Sequence, residues 1–181
     1  MKTLTIIDTE TSLTYELAEG VNTEKIDPLA YYLVMLCGKV ISETTGKTPI
    51  FTSGWRSVTR QLAAMAAMEK RDPALYQKVY GPMLKREQDP ATMPHASGRA
   101  GDWLFTGFEK AERKLLEINE WLIEGTFELM GYTPGSPFIL PEKGKDKDGK
   151  PFNLCFHCAI PRQIPNRQML RDYFNITFAR T

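Results

Sequence analysis

The stretch PHASGRAGDWLF, residues 94–105, sets a histidine, several small residues and an arginine ahead of Asp102. RAGDWLF reads as a strand, and the residues before it read as the turn that feeds it. The chain has only two histidines, and one of them, His95, stands seven positions before an aspartate at this junction. A histidine in a turn is commonly a surface or capping residue, and that reading stands beside a ligand role. Ala96, Ser97, Gly98 and Ala100 would let the backbone pass close to a site.

Downstream, Thr106-Gly-Phe-Glu109 has the form of a capping box. The helix it starts carries Ala111, Leu115, Ile118 and Leu122 on one stripe and ends near Gly131. YTPGSPFIL is loop or strand, and EKGKDKDGK is a charged hairpin tip that turns at Asp148-Gly149. NLCFHCAIP is a strand, and PNRQMLRDYF reads as a closing helix.

Upstream, residues 1–22 read as a strand or extended arm. Leu29, Leu33, Leu36 and Val40 recur at helical spacing from Asp27 to about Glu43. TGKTPIFTSGW gives a turn and a short buried strand. Residues 58–80 form one or two helices broken near Asp72-Pro73, and KREQDPATMP is a loop. No repeat or low-complexity linker divides the chain, so 1–181 is expected as one α+β domain, helices packed on a small antiparallel sheet.

The 181 residues are enough to build a core without disulfides. Lys and Arg number 23 against 22 Asp and Glu, which offers no footprint for nucleic acid or an anionic membrane. PLAYYLVMLCGKVI is too short to span a bilayer, and MKTLTIIDTETS reaches acidic residues before any signal-peptide core forms. Three cysteines, Cys37, Cys155 and Cys158, make no disulfide framework, which favours a reducing compartment.

The second histidine, His157, sits in the apolar strand LCFHCAI, where a buried imidazole needs a partner. A strand carrying Asp102 can lie beside it. Two histidines and a carboxylate make a three-ligand set that leaves zinc's fourth position open, the pattern of a catalytic site. A metal centre and satisfied structural histidines both remain open at this point.

His95-Ala-Ser-Gly98-Arg-Ala100-Gly-Asp102 matches H-x-x-G-x-A-x-D and resembles the central motif of the zinc D-alanyl-D-alanine carboxypeptidase family. That family includes bacteriophage cell-wall peptidases and shares its fold with the hedgehog signalling domain. PIFTSGWRS looks like the family's strand ending in S-G-x-R, here Ser53, Gly54 and Arg56. CFHCAIP resembles the strand of the last histidine ligand. NRQML, residues 166–170, is similar to the N-R-x-x-L of phage members, and YELAEG to their aromatic-x-L-x-E stretch. The resemblance runs in order from about residue 15 to 170.

It implies Zn2+ held by His95, Asp102 and His157, with Arg56 recognising a carboxylate or carbonyl of a peptidoglycan stem peptide. The implied protein is a phage-type lysin, acting in the bacterial host cytoplasm before lysis or within a virion among other phage proteins. The alternative is a non-catalytic virion or tail component that keeps the fold. Neither nucleic acid nor membrane is expected as a partner.

The sequence departs from the family in three places. The acidic residue three positions before the last histidine, the usual general base, is Leu154, which cannot move a proton. A substitute base would have to come from Glu142, Asp146 or Asp148 on the hairpin, residues read more simply as a solvated charged tip. Met93 replaces a serine two positions before His95. A longer helical stretch over 57–92, around DPALYQKVYG, is expected at the cleft rim.

Cys155-Phe-His-Cys158 is a C-x-x-C, but it lies in an apolar strand rather than at the helix N-terminus that thiol–disulfide chemistry uses. By alternation Cys155 and Ala159 share a face with His157, while Leu154, Phe156 and Cys158 face away. DKDGK lacks the later acid of a calcium loop and is a turn.

Overall fold

The computed structural model describes residues 2–7, 12–86, 89–130, 138–145 and 148–162. A hairpin of β1 (Lys2–Ile7) and β2 (Ser12–Leu17) opens the chain, where the sequence suggested a strand or arm. Asp27 then caps α1 (Pro28–Thr45), its carboxylate accepting from the Leu29 N–H at 2.9 Å, with Pro28 in the first turn. The helix runs two residues past the expected Glu43 and stops at Gly46, whose φ of 66° is left-handed.

β3 (Ile50–Ser53) follows, then α2 (Val58–Arg71) and α3 (Pro73–Arg86), broken at Asp72-Pro73 as expected. Part of the predicted loop KREQDPATMP is instead the end of α3 and a single 3-10 turn, Pro90–Thr92. β4 (Ala100–Leu104), α4 (Glu109–Met130), β5 (Ile139–Lys145) and β6 (Pro151–Ala159) complete the described elements. At the start of α4 the Glu109 carboxylate accepts from the Gly107 N–H at 3.2 Å. The predicted closing helix, the NRQML segment and Asp146 lie outside the described residues.

The six strands form one sheet in the order β1-β2-β3-β4-β6-β5. The expected antiparallel sheet needs correction, because β2 and β3 pair in parallel, Glu16 opposite Ile50 and Leu17 opposite Phe51. The cause is α1: a helical crossover returns the chain in the same direction as the strand it left. The other pairings are antiparallel.

α1 and α4 cover one face of the sheet. Trp103 on β4 is fully buried there, its indole N–H donating to the Val34 carbonyl of α1 at 2.9 Å and its ring tilted against Tyr15 and Phe51. Phe156 on β6 is buried against Phe105, ring centroids 4.4 Å apart. Strand alternation therefore turns Asp102 and His157, neighbours of these core aromatics, to the other face. Met65 of α2, Tyr80 of α3 and Met93 after the 3-10 turn form a second, smaller cluster. No helix among the described residues is long and apolar enough to cross a membrane.

Candidate metal centre

The loop that holds His95 is tied down at both ends by backbone chemistry. The His95 carbonyl accepts from the Arg56 N–H at 3.2 Å, and the Trp55 indole N–H donates to the Ala96 carbonyl at 2.9 Å. Arg99 is buried and donates to Ser97 Oγ at 2.9 Å, the Ile160 carbonyl at 2.9 Å and the Thr92 carbonyl at 2.6 Å. Gly98 has a φ of 76°, and a Cβ there would collide with the Lys25 carbonyl oxygen. Only glycine meets both demands. Its own carbonyl accepts from the Asp27 N–H at 2.8 Å, which joins the loop to the start of α1.

Three side chains converge beyond this loop. The β4–β6 register sets Asp102 opposite His157, and His157 Nδ1 lies 2.7 Å from Asp102 Oδ1. His95 Nε2 lies 3.2 Å from Asp102 Oδ2. His95 Nδ1 is 2.8 Å from the Gly54 carbonyl oxygen, which can only accept, so Nδ1 carries the proton and Nε2 presents a lone pair. One ligand atom from each of the three residues lies within 4.8 Å of the others. Among the described residues this is the one cluster of three or more His, Cys, Asp or Glu groups close enough to share an ion.

The electrostatics favour a cation. Burial alone would raise the Asp102 carboxyl, but the two imidazoles beside it, His95 and the His157 that hydrogen-bonds it, outweigh burial and hold the group well below the usual carboxylate range. Burial lowers the His95 pKa, keeping that imidazole neutral as a metal ligand must be. For His157 burial also works against the charged form, yet the Asp102 hydrogen bond and charge prevail and its pKa rises. Two imidazoles and one ionised carboxylate suit zinc, and a carbonyl behind one imidazole is the usual means of orienting such a ligand. The residues present therefore fit the ion.

Arg56, expected to face substrate, donates from Nη2 to Asp102 Oδ2 at 3.1 Å, with its side chain 22% exposed. It also lines a cleft with Glu19, Thr52, Ser53, Trp55 and Arg60. Met93 is fully buried, its Sδ 3.8 Å from Gln61 Nε2, and serves the small α2–α3 core. Cys155 shares the face of His157 as the alternation predicted, with Sγ 3.5 Å from Glu142 Oε2. Cys158 lies in the opposite, buried core. Burial raises both thiols well above their ordinary value, so neither is a thiolate.

Of two residues near the site, sequence reasoning places Glu142 on the hairpin tip and does not single out Tyr80. Glu142 is not part of a solvated tip: it sits within β5 opposite Cys155, half-buried. Counting back along both strands from the Asp148-Gly149 turn would have come close to this pairing. Tyr80 on α3 is buried, and burial raises its phenol while Arg56, Glu142 and Asp102 all act on it through charge. Asp148 is exposed at the turn, as expected. No family model matches the chain, and no curated protein or solved structure matches it either.

Proposed function

We propose that this protein is a zinc-dependent peptidase of peptidoglycan stem peptides, of the phage type and with the hedgehog/DD-peptidase fold. The observation that carries the reading is the closeness of His95, Asp102 and His157, one ligand atom of each lying within 4.8 Å of the others. The cluster sits beside a cleft lined by Arg56. Zinc bound there supplies a Lewis acid for the scissile carbonyl and ionises water near neutral pH.

The chain's own residues do the rest. The Gly54 carbonyl fixes the His95 tautomer. The Arg56 guanidinium, a planar fork, holds Asp102 in register and lines the cleft, where a peptide carboxylate or carbonyl can be oriented. Such a protein works in the host cytoplasm before lysis, or in the virion with other phage proteins.

Leu154, where the resembling enzymes keep an acid, favours a second reading: a virion or tail component that binds wall peptide without cutting it. The test pairs metal analysis with incubation on purified stem peptides. Protein prepared without chelator should carry about one zinc per chain, lose it in His95→Ala and His157→Ala, and release amino acids or shorter peptides from the stem. Zinc without cleavage favours the binding component. Full zinc retention in both variants ends the three-ligand site.

A further inference from the structure

We propose that Glu142 on β5 is the catalytic carboxylate that takes and returns the proton, standing in from the neighbouring strand for the acid missing at position 154. The inference rests on the peptidase reading above and names the group that reading lacks.

Hydrolysis of a peptide bond needs such a group twice. As the oxygen of water bonds to the carbonyl carbon, one of its protons must leave. As the C–N bond then breaks, the departing amine must gain a proton. The three converging side chains are already committed. Both oxygens of Asp102 are engaged, Oδ1 by His157 and Oδ2 by Arg56. His95 spends its Nδ1 proton on the Gly54 carbonyl.

Glu142 is a carboxylate free of those duties and facing the same way. The β5–β6 ladder sets it directly opposite Cys155, and Cys155 stands two residues before His157 on the same face. Diagonal neighbours of this kind lie about 7–8 Å apart, within reach of a long side chain. The next residue on β5, Lys143, turns the other way and binds Glu112 of α4 at 2.7 Å on the helical face. Alternation along β5 therefore sends Glu142 to the side of the metal ligands.

The ladder also accounts for Leu154. Glu142 pairs with Cys155 and Lys143 with Asn153, so β6 carries one residue more than β5 here, and Leu154 is that residue. The carboxylate at this level of the sheet is thus supplied by β5 rather than by β6.

The surroundings suit proton transfer. Burial raises the Glu142 carboxyl above its ordinary value. The groups that act on it are His157 and Cys155 on β6, Asp102 on β4, Arg56 beyond β3 and Tyr80 on α3. The Cys155 thiol donates toward Glu142 Oε2 at 3.5 Å.

The test is Glu142→Gln, which keeps shape and removes the proton-carrying oxygen, with Glu142→Gln/Leu154→Glu as the rescue. Zinc per chain, measured by mass spectrometry, should match the parent in both. The stem-peptide kcat of Glu142→Gln should fall by about 10²–10⁴ with KM little changed, and the double variant should recover a measurable part of it.

A second readout does not depend on turnover. In protein loaded with Co2+ alone, the visible spectrum is followed against pH, and the midpoint of its transition should move in Glu142→Gln. Turnover close to the parent rate overturns the assignment, and so does loss of metal, which would make Glu142 a ligand or a strut. If the parent cuts no stem peptide, the peptidase reading fails by itself. The Co2+ titration then decides separately, an unmoved midpoint removing Glu142 from the site and a shifted one keeping it there.

Discussion

Asp102→Asn keeps the shape of the side chain and removes its charge, which separates electrostatics from packing at the centre of the site. The carboxylate, 9% exposed, pairs with His157 at 2.7 Å and Arg56 at 3.1 Å, with His95 Nε2 at 3.2 Å. Taking one partner from a buried ion pair costs about 3–5 kcal/mol. Arg56 is 22% exposed and regains some water, so the lower end, about 3 kcal/mol, applies. For a chain of this size each kcal/mol moves Tm by about 2–4 °C, so chelated Asp102→Asn should melt roughly 6–12 °C below the parent.

The metal should respond more strongly. Removing the partner that supports a ligand costs about 10–100-fold in affinity, and losing an anionic ligand itself must exceed that. Competition with a chromogenic zinc chelator measures it, with Asp148→Asn at the exposed turn as the control. Equal affinities for Asp102→Asn and the parent, or equal losses in both variants, would refute the placement of the site.

Two further outcomes follow from the same geometry. Gly98→Ala meets both a left-handed φ of 76° and the Lys25 carbonyl, so it should cost at least about 2 kcal/mol, visible in thermal denaturation; an unchanged Tm would contradict the loop geometry. His157, whose pKa Asp102 raises, contributes stability that is complete below the ordinary histidine value of about 6.5 and is lost as pH climbs through the raised one. The gap in unfolding free energy between metal-free parent and His157→Gln should therefore narrow with rising pH. Zinc affinity should rise over the same interval, as the proton leaves, and a flat affinity would sever His157 from the ion.

How much of this was legible in the sequence depends on how local the cause was. His95 and Asp102 could be paired from sequence because one turn and one strand separate them, and Gly98 is demanded by a backbone angle that only its own residue type satisfies. α1 was legible through its periodicity, and the break between α2 and α3 through Asp72-Pro73. The parallel β2–β3 pairing was not, since residues 1–22 have no pattern that reveals which edge they join. Glu142 was hidden for a different reason: its face depends on the register of a long hairpin, and the extra residue at Leu154 shifts that register. The Arg56–Asp102 pair is likewise tertiary, closing over 46 residues.

The ladder that joins Asp102 to His157 also sets the order of events when the chain folds. These two residues lie 55 apart in sequence, with all of α4 between them. Closing a loop of that length must precede the pairing, and long-range contacts form late because their entropy comes due before their reward. Until β6 docks on β4, the nascent chain offers an ion only His95 and Asp102, a pair too sparse to compete for zinc. An ion held there would therefore arrive at a finished sheet and stabilise the native state by mass action, RT ln(1 + [L]/Kd), without guiding the search for it. Refolding should run at the same rate with or without zinc, while unfolding slows when the ion is present.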